Sequence, residues 1–200
     1  MLNLYIVRHG QTVWNTERRF QGWLDSPLTA HGIECAQILK DKLASLDFQV
    51  RISSPSPRAE KTMQLITSDE KSYHLDPRLK EIRLGVWQGM THEEIEVIYP
   101  EYLEMFYNRP EKFLMPDSES YFDVHTRVKS FIDELVSNYS ETDDETNVLV
   151  VTHGVTLMIF KLIFDEMPVS ELGRYTVSKN VQVHHYRYEG ERFIKISDDV

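Results

Sequence analysis

Two apolar segments of this chain end alike: LYIV runs into Arg8-His9-Gly10, and NVLVV runs into Thr152-His153-Gly154. A third ends in Ser53-Ser54-Pro55 and leads within a turn to Arg58, and the stretch after Pro77 supplies Glu81. In open α/β sheets ligands bind beyond the carboxyl ends of the strands, so two histidines, two arginines and a glutamate can meet in one crevice. Arg8 and Arg58 each offer a planar fork of donors suited to phosphate oxygens, and a protonated His153 adds a third cation. A neutral imidazole is a competent nucleophile near pH 7, so His9 can attack phosphorus and carry it covalently. The leaving alkoxide needs a proton, and Glu81 is the candidate acid if a desolvated or anionic setting lets it hold one. Water reverses the logic in the second half-reaction.

The elements that must position these residues alternate between strand and helix patterns, the mark of an α/β layer fold. Asn3 to Val7 reads as a buried parallel strand. Thr29 is a plausible N-cap for a helix carrying Ile33, Ala36, Leu39, Leu43 and Leu46 at steps of three and four. Val50 to Ile52 is the next strand, a second helix runs from near Ser56 to about Ile66, and Tyr73 to Leu75 is a further short strand. Met90 to Pro116, rich in Glu, Tyr and Pro, reads as short helices inserted over the sheet, a lid at about 90–120. Ser120 to Tyr139 is a long amphipathic helix and Glu141 to Asn147 an acidic, solvated turn. Asn147 to Thr152 is the clearest buried strand, followed by an apolar helix to about Phe164. Val181 to Tyr188 and Phe193 to Ile196 close the chain as two strands turning at Glu189-Gly190. The expected architecture is one domain over 1–200: a three-layer α/β/α sandwich with a mostly parallel central sheet and a small helical insertion over the active site.

Composition bounds the function classes. The 200 residues are 41% hydrophobic and 27% charged, ordinary for a globular domain. The formal charge of −10 argues against binding nucleic acid or an anionic membrane, so an anionic ligand must be caught by a local cluster of cations. No apolar run approaches the roughly 20 residues that span a bilayer. The start of the chain lacks a signal-peptide pattern, so a cytoplasmic location is expected. The single cysteine, Cys35, is expected to serve packing.

The chain resembles the histidine phosphatase superfamily, also called phosphoglycerate mutase-like. The resemblance begins with LYIVRHGQTVWN over Leu4 to Asn15 and continues through Gln21-Gly22, Ser26-Pro27-Leu28-Thr29 with Gly32, and Ser53-Ser54-Pro55 with Arg58, Ala59 and Thr62. Leu79, Glu81, Gly85, Trp87 and Gly89 resemble the family's acid-bearing segment, and Val150 to Gly154 its second histidine motif. Any one block alone is weak, but these stand in family order across most of the chain. The resemblance implies His9 as the phosphorylated residue, Arg8, Arg58 and His153 with Gly154 as the phosphate pocket, Glu81 as proton donor and Asn15 as a supporting donor. It assigns Gln21 and Gly22 to substrate binding, and implies no metal and no cofactor.

Three departures stand out. The family's usual Trp-Glu-Gly is Trp87-Gln88-Gly89, and Pro116-Asp117-Ser118-Glu119-Ser120 replaces a glycine-rich run. The insertion holds Arg109 beside Lys112 and none of the paired arginines of the mutases. Specificity is expected from Met90 to Pro116 and from Glu119 to Thr126. The expected activity is hydrolysis of small phosphorylated metabolites with inorganic phosphate as product. Phosphoglycerate mutase is the alternative within enzymes, and a non-catalytic phospholigand-binding or interaction module the alternative outside them. The other histidines read as structural or surface residues; His184-His185 does not suit one metal ion, because neighbours in a strand face opposite ways. Val181 to Tyr188, read as an apolar edge strand, makes a homodimer conceivable.

Overall fold

A computed structural model describes residues 1–68, 72–140 and 145–198. Four strands run parallel: β1 (Leu2–Arg8), β2 (Val50–Ser53), β3 (His74–Leu75) at one edge and β4 (Thr146–Thr152). Two more, β5 (Val183–Glu189) and β6 (Arg192–Ser197), extend the sheet beyond β1, giving the order β3-β2-β4-β1-β5-β6 among the described residues. β1 pairs with β4 in parallel and with β5 antiparallel, so the sheet is mixed but mostly parallel, as expected.

Both faces of the sheet are buried, which explains the continuous apolar runs. Along β1, Leu4 and Ile6 enter one core and Tyr5 and Val7 the other; along β4, Val148 and Val150 alternate with Leu149 and Val151 in the same way. The smaller core lies under α2 (Ala30–Leu43) and α3 (Pro57–Thr67), whose Ala36, Leu39, Ala59 and Met63 face it. Thr29 caps α2 by accepting from the Gly32 amide, and Ser56 precedes α3 with Pro57 in its first turn, so both starts fall where the residues place them. Cys35 is half-buried at the edge of this core. The larger core lies under α6 (Tyr121–Tyr139) and α7 (Gly154–Phe164).

The segment after Met90 forms α4 (His92–Ile98), α5 (Pro100–Asn108) and a 3-10 turn at Pro110–Lys112. It is pinned to the body by rings: Trp87 is fully buried, with Phe106 and Phe113 centroids at 5.7 and 5.5 Å. A four-residue helix, α1 (Val13–Thr16), and the 3-10 turns Pro77–Leu79, Gly85–Trp87 and Val169–Arg174 were not anticipated.

Two expectations need correction. The strand expected from Val181 starts at Val183, because Val181 takes a left-handed φ of 61° and its amide bonds to Arg8 O. That strand is also interior, hydrogen-bonded on both sides to β1 and β6, so it offers no free edge for pairing across a dimer. The acidic turn at Glu141 to Asn147 lies outside the described residues as far as Asp144; Thr146 and Asn147 already belong to β4.

Trp87→Ala removes the ring that joins the insertion to the core. It is expected to lower stability by about 3–5 kcal/mol in urea denaturation, whereas Val97→Ala, at a highly exposed site, shifts it by less than about 0.5 kcal/mol.

Candidate active site

β2, β4 and β1 are adjacent, and their carboxyl ends stand level. Ser53 pairs with Val151 and Arg8 with Thr152, while the amides of Ser54 and His9 bond to the carbonyls of Val151 and Thr152. Ser54, His153 and His9 therefore leave the sheet side by side. The imidazoles of His9 and His153 lie 5.2 Å apart between centroids, and both are buried.

His9 is oriented by its own turn. Its Nδ1 lies 2.8 Å from Gly10 O, so Nδ1–H donates there and Nε2 keeps its lone pair. The turn is held by the Gly10 amide donating to Thr62 Oγ1 at 2.9 Å and by Asn180 Nδ2 donating to His9 O at 2.8 Å. Burial, with Arg58 and Arg8 alongside, pushes the His9 pKa well below its ordinary value. The same causes, burial first and then Arg58 and His9, hold His153 well below it too, so His153 is neutral and not the third cation expected. It still contributes: Nε2 is 2.7 Å from Ser54 Oγ, and its buried Nδ1 has no partner among the described residues.

The arginines are held more tightly than a free fork would be. Arg58 spends three of its N–H groups on Leu24 O, Asp25 Oδ1 and Gly22 O, each at 2.8 Å. Arg8 Nη1 donates to Ser178 O at 2.7 Å. In both the Nε is buried and unpartnered among the described residues, and Arg8 engages only its Nη1. Burial lowers both guanidinium pKa values.

Glu81 stands at the start of α7. Its Oε2 accepts from the Val155 amide at 3.1 Å, and its Oε1 from the amides of Ile82 and Thr156 and from Thr156 Oγ1. Of the two settings expected to suit a proton donor, the bare, desolvated one is absent, because the first-turn amides of a helix are donors in need of an acceptor and the carboxyl group fills that need; the anionic one would come with a phosphoryl group in the cleft. A Cβ at Gly154 would crowd Val177 Cγ1 at 2.9 Å but meet Arg8 Nε and Glu81 Oε2 at an ordinary 3.6 Å, so the glycine makes room for Val177.

Arg8, His9, Arg58, Glu81, Asn15 and Gly154 thus line one cleft of about 220 Å3, with Gln21 and Gly22 at its border. The Gln21 amide is engaged by Thr12 Oγ1 at 2.9 Å, Gly22 O by Arg58, and Asn15 Oδ1 by the Thr12 amide at 3.1 Å. Of the segments expected to set specificity, the insertion contributes Phe106 and Tyr107, whereas Glu119 to Thr126 does not reach the cleft. Glu119 instead pairs with Arg127, which donates to Glu81 O at 3.1 Å and so braces the acidic residue from behind. The cleft also includes Arg18, Arg19 and Val177, which the sequence reading missed. Asn180, Ser178 and Asp25 were missed as well, because they sit in irregular loops without periodicity.

The profile of the histidine phosphatase superfamily (branch 1) matches residues 4–197. The chain belongs to that superfamily. It is 32% identical over 158 residues to a protein of Enterobacter sp. named "Probable phosphoglycerate mutase GpmB", covering 78% of this chain and 72% of that one. It is equally 32% identical over 159 residues to "Phosphoserine phosphatase 1" of Hydrogenobacter thermophilus, covering 78% and 73%. Its fold superposes on Bacillus stearothermophilus YhfR with a TM-score of 0.92 at 33% identity, over 100% of this chain and 98% of that one.

The departures from the superfamily pattern have local accounts. Gln88 Oε1 accepts from the Trp23 amide at 2.7 Å and packs over Gly22, where a Cβ would come within 2.5 Å of it, so the amide keeps an acceptor and Glu81 loses no contact. In the Pro116 to Ser120 run, Asp117 takes a left-handed φ of 57° and Ser118 Oγ donates to Met115 O at 2.9 Å. His184 and His185 face opposite sides, one paired with Asp198 and the other stacked on Tyr5 at 4.1 Å.

Burying two neutral imidazoles ties stability to pH. The unfolded chain protonates them near 6.5, the folded chain only well below, so their contribution is complete above about pH 6.5 and is lost as pH falls beneath it. Urea denaturation from about pH 7 to about pH 5 is expected to show a loss of up to about 1.4 kcal/mol per pH unit for each ring, reduced by one ring's share in His153→Asn.

Proposed function

We propose that this protein is a phosphomonoesterase acting on small phosphorylated metabolites through a phosphohistidine at His9. The observation that carries the reading is the pairing of a locked, neutral imidazole, Nδ1 on Gly10 O, with buried unpartnered donors on Arg8 and Arg58 beside it. Unpaired buried donors are costly, and a phosphoryl group offers oxygens that satisfy several at once.

In this mechanism His9 Nε2 attacks phosphorus, the P–O ester bond breaks, and Glu81 hands the leaving oxygen its proton. The N–P bond of the intermediate is then cleaved by water, which gives its proton to the Glu81 carboxylate, releasing inorganic phosphate and regenerating neutral His9. Arg8 and Arg58 hold the equatorial oxygens, and His153 adds an Nδ1–H donor once Ser54 donates to its Nε2. The in-line geometry rests on these groups being fixed before substrate arrives. The insertion acts as a lid, presenting Phe106 and Tyr107 at the mouth.

Hydrolysis is favoured over transfer between two hydroxyls by the state of the insertion's cations. Arg109 is paired with Glu104 and neither it nor Lys112 reaches the cleft, so the insertion offers no grip for a second anionic group.

Phosphate release from a panel of phosphomonoesters, measured with chelator present, is expected for the wild type and to fall by at least about a thousandfold in His9→Ala. Activity of the variant near that of wild type would remove His9 from the nucleophile's role. Glu81→Gln is expected to slow alkyl phosphates, whose leaving groups need a proton, by about a hundredfold or more, and aryl phosphates far less; equal losses would remove Glu81 from the acid's role.

A further inference from the structure

Beside the catalytic cleft lies a second cavity of about 280 Å3. Phe106, Tyr107, Val155 and Val177 line both, so the two adjoin along these side chains. Their position fixes which end of a substrate would meet the second cavity. The Val155 amide holds Glu81 Oε2, so the shared wall stands next to the group that protonates the leaving oxygen. The alcohol half of a phosphomonoester in the cleft is therefore directed toward this annex, and the phosphoryl half toward His9.

The annex differs in chemistry from the cleft. Beyond the shared wall it is bounded by Pro110, Tyr121, Met158, Leu172 and Tyr175, and among the described residues no charged side chain lines it. Its two deeper tyrosine hydroxyls are already spent: Tyr121 donates to Phe106 O at 3.0 Å and Tyr175 to Asp165 Oδ2 at 2.7 Å. Tyr107 and Val177 stand 48% and 51% exposed at the shared wall, apolar surface that a ligand would cover. The cations near the mouth line the cleft and not the annex: Arg19 is held by Glu17 and Gly89 O at 2.7 and 2.8 Å, and Arg18 lies on the surface 3.5 Å from Glu93.

We propose that the annex receives the alcohol half of the substrate and that this half is an uncharged aliphatic or aromatic group. The inference rests on the phosphomonoesterase reading and goes beyond it by naming the substrate's second half. Apolar walls reward each methylene removed from water, while a carboxylate or second phosphate placed there would lose its hydration without a partner.

A series of n-alkyl phosphates from methyl to hexyl tests it, because the leaving group's chemistry is constant while its apolar length grows. The expected result is a rise in kcat/KM of up to about fourfold per methylene, levelling once the annex is filled. Thr176→Trp, at an exposed loop position on the annex, and Met158→Trp, on α7, are expected to flatten the rise while leaving methyl phosphate unchanged. A flat series in the wild type overturns the proposal, as does a preference for phosphoserine or phosphoglycerate over alkyl phosphates of similar length. Binding of n-alkylphosphonates, which cannot be hydrolysed, separates the two readings. Affinity rising with chain length in a protein that releases no phosphate keeps the annex and overturns hydrolysis, whereas release with no dependence on length does the reverse.

Discussion

Two guanidinium groups and two imidazoles are buried together at the ends of three adjacent strands, and the rest of the molecule answers to that electrostatic constraint. The Arg58 side chain is fully buried and faces Asp25 at 2.8 Å. Taking such ions out of water costs several kcal/mol each unless partners offset it. Asp25, Glu81 and the carbonyls of Gly22, Leu24 and Ser178 supply part of the offset. The imidazoles supply the rest by shedding their protons, since a charged ring beside two arginines would add repulsion to desolvation. The result is a neutral imidazole ringed by fixed donors.

The scaffold makes that arrangement rigid. The sheet delivers Ser54, His153 and His9 from neighbouring strands in register, so their spacing follows from strand pairing and not from loop packing. Loops then close over the ends. The Thr62 hydroxyl on α3 takes the Gly10 amide, Asn180 takes His9 O, and the Glu119–Arg127 pair braces the Glu81 backbone from α6. Stretches of chain far apart in sequence thus converge on one imidazole and one carboxylate. Such pre-organisation suits chemistry in which little more than positioning and charge is asked of the protein.

Global and local charge oppose one another here. The chain carries −10 overall, yet the described cleft gathers Arg8, Arg18, Arg19 and Arg58. A dianion approaching such a surface is repelled at distance and captured only in the crevice, which favours small ligands able to enter it over extended polyanions. The aromatic wall from the insertion adds the opposite preference on the other side of the cleft, where the surface is apolar.

The sequence by itself determined the alternation of strands and helices, the caps of α2 and α3, and the convergence of Arg8, His9, Arg58 and Glu81 on one cleft, with His153 buried beside His9. Those signals are local: apolar runs, a threonine or a proline at a helix start, and chemistry-bearing residues at strand ends. It also determined the family, because motif blocks in order leave a record that does not depend on coordinates. Tertiary structure decided what each group is free to do. His153 loses its charge first to burial and then to Arg58, distant in sequence, Arg58 spends most of its fork on the loop at Gly22 to Asp25, and Glu81 becomes the acceptor for a helix that begins more than seventy residues later. The strand after Val181 became interior because β6 pairs beyond it, and within Glu119 to Thr126 Glu119 became part of a brace behind Glu81 through Arg127 of α6, while Tyr121 lines the adjoining cavity. Desolvation, hydrogen-bond occupancy and strand order are sums over contacts between distant segments, and one-dimensional periodicity carries no term for them.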